Sequence, residues 1–208
     1  MTLACGLLLA ASLAGCGVAR DDSPPRPGIG GASAGAGEGT PSTATKDTVR
    51  IPGENPTEDA AGAAAAAFPG TAAATRPQAV TVVGENDWQG AIAASVLVGE
   101  PVGAPILLSA ADELPAVSAA ELADLAPTGA ELLDGAKVVR IGAAPGPEGL
   151  LARTAAGPDP YTRAAAIDRL SSAARGEPSG HVIIASGEQP AWAMPAAPWA
   201  ARSGHAVL

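Results

Sequence analysis

Large aromatic side chains are scarce in this chain: three Trp, one Tyr and one Phe among 208 residues. A core must therefore be built mainly from Ala, Val, Leu and Ile, each burying little area. Basic residues are also few, 12 Lys and Arg against 21 Asp and Glu, for a net charge of −9. With no Lys/Arg cluster there is no electrostatic footprint for nucleic acid, and none is expected as a partner. Only two His and two Cys are present, and none stands at metal-ligand spacing, so no metal site is expected. His181 and His205 read as incidental. A Gly-x-Ser-x-Gly elbow is missing, and the glycines of Gly28-Ile29-Gly30-Gly31 follow no strand, so they fail as a phosphate loop. The acids Asp112, Glu113, Glu121, Asp124, Glu131 and Asp134 read as the solvated outer face of a helix and its flanking loops. No catalytic constellation emerges, and the chain is expected to be neither an enzyme nor a cofactor binder.

What is present begins with a targeting segment. Leu3–Ala14 is an apolar run of signal-peptide length, too short to cross a bilayer alone. It ends in Leu13-Ala14-Gly15-Cys16, which looks like a bacterial lipobox. Cleavage before Cys16 and its acylation would remove Cys5 and occupy Cys16, leaving no disulfide in the mature protein. Residues 16–47 follow as a Gly/Pro/Ser/Ala-rich tether without periodicity, expected to stay disordered.

The folded part is organised around Ala79–Leu108. Val80–Val83 ends at Gly84, as suits a strand buried on both faces. Glu85-Asn86-Asp87 makes a turn in which Asp87 can cap a helix starting at Trp88, and Pro105–Leu108 reads as a second strand. This is a strand–helix–strand unit of a parallel sheet. Before it, a strand near Thr48–Ile51 precedes a helix from Glu58 to about Phe68, capped by Thr57. After it, Ser118 and Glu121 suggest a capping box for a helix through Leu125, and Lys137–Ile141 another strand.

The pattern then restarts. Gly157-Pro158-Asp159-Pro160 lies over Gly53-Glu54-Asn55-Pro56 at an offset of 104 residues. His181–Glu188 matches Gln78–Glu85, a helix is expected around Trp192–Ala201, and Gly204–Leu208 matches Gly103–Leu107. The expected fold class is α/β, with Rossmann-like parallel-sheet modules in tandem repeat: a first module over 48–150 and a partial second over 151–208, an array short of completion.

These residues resemble the cell wall binding repeat type 2 family of bacterial surface proteins. Gly103-Ala104-Pro105-Ile106-Leu107-Leu108 matches the family's core motif in full. Leu114-Pro115, Glu121-Leu122 and Val138–Gly142 follow at family-like spacing, and Arg153, Gly157, Asp159, Tyr161 and Ala164 fit its opening motif. The sequence departs from the family at Gly90 and Trp192, where an Asp is usual, and at Pro56 and Pro160.

The resemblance implies noncovalent attachment to anionic cell-wall polymer or a peptidoglycan-linked glycan through Pro105, Ile106, Leu107 and Leu108. By residue chemistry alone those four read first as a buried strand. A site at the carboxyl ends of the parallel strands would be rimmed by Asn86, Asp87, Trp88 and Ser109, with N–H groups of the Trp88 helix free to hold a phosphate or carboxylate. Trp88 and Trp192 read either as sugar-stacking platforms or as core filling. The reading is a lipid-anchored, extracytoplasmic protein on the outer face of the cytoplasmic membrane, its modules able to self-associate. The alternatives are the non-catalytic part of a cell-wall amidase or protease, or a solute-binding lipoprotein.

Overall fold

A computed structural model describes residues 43–44, 49–51 and 53–208. The signal segment 1–15, Cys16 and nearly all of the tether lie outside the described residues. The exception is Thr43–Ala44 (β1), which pairs antiparallel with Val49–Arg50 (β2), so the tail of the stretch read as tether takes part in a strand pair.

Four parallel strands form the central sheet: Val80–Gly84 (β3), Ile106–Ser109 (β4), Val138–Ile141 (β5) and Ala152–Ala155 (β6), in the order β4-β3-β5-β6. β3 is an inner strand and its first four residues, Val80–Val83, are fully buried, which is why its sequence is a β-branched run without alternation, with the Thr81 hydroxyl buried unpartnered. Alternate residues serve two cores. Val80, Val82, Leu107 and Val138 face one layer, packed with Ala61, Ala64, Leu122 and Leu125 of helices Pro56–Ala67 (α1) and Ala116–Leu125 (α3). Val83, Val139, Ile141 and Ala155 belong to the other core, with Ile92 of Trp88–Ala94 (α2) and Ile167 of Pro160–Arg175 (α4). The fold is Rossmann-like α/β, a parallel sheet with helices on both faces.

The second module is small. After α4 come Val182–Ile183 (β7), Pro190–Ala193 (α5), Ala196–Ser203 (α6) and Ala206–Val207 (β8), with β7 and β8 paired in parallel. Its opening strand β6 completes the first module's sheet, so the expected boundary at 150/151 falls within one continuous structure. The helix expected around Trp192–Ala201 is broken in two at Met194-Pro195, since Pro195 has no N–H to continue the ladder.

The repeat is visible in backbone detail. Asn55 caps α1 by accepting from the N–H groups of Thr57 and Glu58 at 3.1 and 3.0 Å. Asp159, 104 residues on, caps α4 by accepting from Tyr161 and Thr162 at 2.9 Å each. Proline follows each cap, and each is preceded two residues earlier by a glycine with no room for a side chain. A Cβ on Gly53 would lie 2.7 Å from Asp59 N, and one on Gly157 2.6 Å from Arg163 N.

Three local expectations change. Asn55 rather than Thr57 caps α1, because its side chain reaches both free N–H groups and Thr57 is buried inside the first turn. α3 starts at Ala116 without a side-chain cap, and the Ser118 hydroxyl instead donates to Leu108 O of β4 at 2.7 Å. Glu121 is not on a fully solvated face: burial, with repulsion from Asp124 added, raises its carboxyl from 4.5 to about 7.

Candidate functional site

At the carboxyl end of the sheet, the loop after β3 leads to α2 on one face and the loop after β4 leads to α3 on the other. Such divergence opens a crevice between the two strands. Here it is a cleft of about 560 Å³. Its walls are the turn Gly84–Asp87, Ala110 and Ala111 after β4, Gly142–Ala144 after β5, and Gly157, Pro158 and Arg163 from the start of the second repeat.

Asp87 organises one wall. Its N–H donates to Gly84 O at 2.9 Å, closing the turn, and its Oδ1 accepts from Gly90 N at 3.0 Å as the cap of α2. The same oxygen accepts from Arg163 Nη2 at 3.0 Å, with about four-fifths of both side chains buried. Arg163 Nη1 donates to Gly157 O at 3.3 Å, while its buried Nε has no partner. To cross the sheet end, Arg163 passes over Gly142, whose φ of +62° is a left-handed conformation. A Cβ there would sit 3.1 Å from Arg163 Cδ. Arg140 Nε donates to Ala144 O at 2.8 Å and braces the loop behind. At the head of α4, the main-chain hydrogen bond from Thr162 is the main influence holding the Asp159 carboxyl below its ordinary range.

The residues singled out from the sequence fall into three places. Asn86 and Asp87 line the cleft, Asn86 exposed. Ser109 lies in its floor, fully buried, its hydroxyl donating to Val83 O at 3.4 Å. Trp88 turns instead into a narrow apolar groove with Tyr161, Gly187 and Leu208. Pro105, Ile106, Leu107 and Leu108 line neither cavity: Leu107 is at 0% exposure in the α1–α3 core, and Ile106 and Leu108 pack on the opposite core. Trp192 and Trp199 fill no core, being 81% and 60% exposed.

The N-terminus of α2 is no anion cradle. α2 has seven residues, and the Asp87 carboxylate already occupies the end where a phosphate would sit. Arg163 is the cleft residue that sequence reasoning missed. Its only signal was the Gly157 motif that fixes the start of α4, which says nothing of a partner 76 residues away. Among the described residues, no group of three or more His, Cys, Asp or Glu is placed to hold a metal ion, and no helix is long and apolar enough to cross a membrane.

Parallel sheet, helices on both faces and a crevice at the carboxyl ends define a Rossmann-like α/β fold. Two solved structures share this fold. Cwp6 from Clostridium difficile superposes with a TM-score of 0.58 at 20% identity, over 75% of this chain and 24% of that one. Cwp8 from Clostridium difficile gives 0.56 at 20% identity, over 75% of this chain and 26% of that one. The chain thus spans about a quarter of each protein's length. No family model and no curated protein matches it.

Proposed function

We propose that this chain is a lipid-anchored protein of the bacterial cell envelope that holds wall polymer noncovalently, with no chemistry of its own. One observation carries the reading: an open cleft at the carboxyl ends of the sheet, in a fold shared with the cell wall proteins Cwp6 and Cwp8. The cleft's state supports binding rather than catalysis. Its most buried acid, Asp87, is committed to Gly90 N and Arg163, and its one hydroxyl, Ser109, is turned onto Val83 O. Neither is free to move a proton or attack a substrate. The tether from Cys16 would let the module range from the outer face of the membrane into the wall.

Sedimentation of the full chain with cell walls purified from its source bacterium tests the binding. The chain is expected in the pellet, and recovery in the supernatant at both low and high salt would remove the proposal. The anchor is tested separately. Cys16→Ala is expected to move the protein from the detergent phase to the aqueous phase in a phase partition, and an unchanged distribution would sink the lipid attachment.

A further inference from the structure

The electrostatics of the cleft narrow what it can hold, on the reading that the cleft is the polymer site. An anionic polymer needs cations to balance its charge, and among the side chains lining this cleft none is free. The charged side chains lining it are Glu85, Asp87 and Arg163. The Arg163 guanidinium is taken by Asp87 and Gly157 O, which leaves the exposed Glu85 as the uncompensated charge. Several main-chain donors of the turns are spent as well, and those of Asn86, Ala110, Ala111, Ala143 and Gly157 are left for neutral acceptors such as hydroxyl oxygens. Glu85 N–H goes to Ser109 O, Asp87 N–H to Gly84 O and Gly142 N–H to Ala155 O, each at 2.9 Å. Gly90 N–H goes to Asp87 Oδ1, and Ala144 N–H to Ile141 O at 3.2 Å. A phosphodiester or uronate chain entering here would lose its hydration and meet a carboxylate. The net charge of −9 adds repulsion at longer range.

What remains suits a different chemistry. The Glu85 carboxylate and the Asn86 amide stand exposed on one lip, able to accept from and donate to hydroxyl groups. Ala110, Ala111, Ala143 and Pro158 add small apolar groups to the lining, suited to the C–H face of a sugar ring. The geometry points to an uncharged, hydroxyl-rich glycan as the ligand of this cleft, in place of the anionic polymer that its sequence motif suggests.

The test uses the full chain and two preparations of the same walls, one untreated and one stripped of phosphodiester-linked anionic polymer with hydrofluoric acid. Stripped walls are expected to bind at least as well as untreated ones, with little change between about 50 and 200 mM salt. Ala143→Trp, which fills the cleft from an exposed loop position, is expected to weaken binding at least about tenfold. Glu85→Lys is expected to add salt-sensitive binding to untreated walls. Loss of binding on stripping, or its collapse with added salt, would overturn the neutral-glycan assignment while leaving the wall-binding function standing. Normal binding by Ala143→Trp would overturn the cleft as its site. No binding to either preparation would overturn the function and the assignment together.

Discussion

Arg163 and Asp87 lie 76 residues apart in the chain, and neither repeat contains both. The position in the first repeat that corresponds to Arg163 is Asp59, so the ion pair exists only where the second repeat folds back on the first. Both side chains are mostly buried, so removing one partner leaves a charge that water reaches poorly. Arg163→Met is expected to cost about 1–3 kcal/mol of stability, and adding Asp87→Asn to recover part of it. A double-mutant cycle by urea unfolding measures the coupling, and additive single effects would show that the pair contributes nothing. Glu121 makes a prediction with pH. Its carboxyl ionises near 4.5 when unfolded and near 7 when folded, so the folded state holds the proton longer. The contribution of Glu121 to stability is therefore full below pH 4.5, declines as the pH rises towards 7 and is flat above it. Glu121→Gln is expected to remove that decline and to stabilise the protein at neutral pH, read as a raised Tm in a pH series. An unchanged pH profile would contradict the buried placement of this group.

The starts of α1 and α4 show local sequence setting local structure once the right capping residue is chosen. Asn55-Pro56-Thr57 and Asp159-Pro160-Tyr161 offer a cap one residue before proline, and proline at the first helical position needs no N–H partner. Asn55→Ala is expected to cost about 1 kcal/mol and Asp159→Ala to lower the Tm, whereas Thr57→Ser should change little at the cap; thermal melts of the three variants decide the matter. β3 was legible because burial on both faces favours an unalternating β-branched run, and the Gly103–Leu108 stretch because it leads into the strand beside it. β6 was not legible. Its sequence Ala-Arg-Thr-Ala belongs to a sheet edge, where Arg153 and Thr154 stay exposed and no apolar pattern is required. The rim of the cleft was half legible. The turn Glu85–Asp87 follows from strand, turn and cap, but the reach of Arg163 over Gly142 depends on how α4 packs across the sheet, which no spacing encodes.

On the scale of the whole molecule, the four-stranded sheet, two helical layers and a folded-back second repeat produce an open cleft with a polar rim and small apolar residues in its lining. The second repeat contributes in two ways, extending the first sheet with β6 and closing one side of the cleft with α4. Its tryptophans lie elsewhere, exposed on α5 and α6, so the two features offer rival surfaces for a wall glycan. Amide hydrogen exchange of the full chain, with and without soluble neutral glycan fragments released from stripped walls, separates them directly. The account predicts slowed exchange in the loops 84–87, 110–111 and 142–144 and at the start of α4, with residues 190–203 unchanged. Protection confined to 190–203, with the cleft loops unaffected, would contradict it.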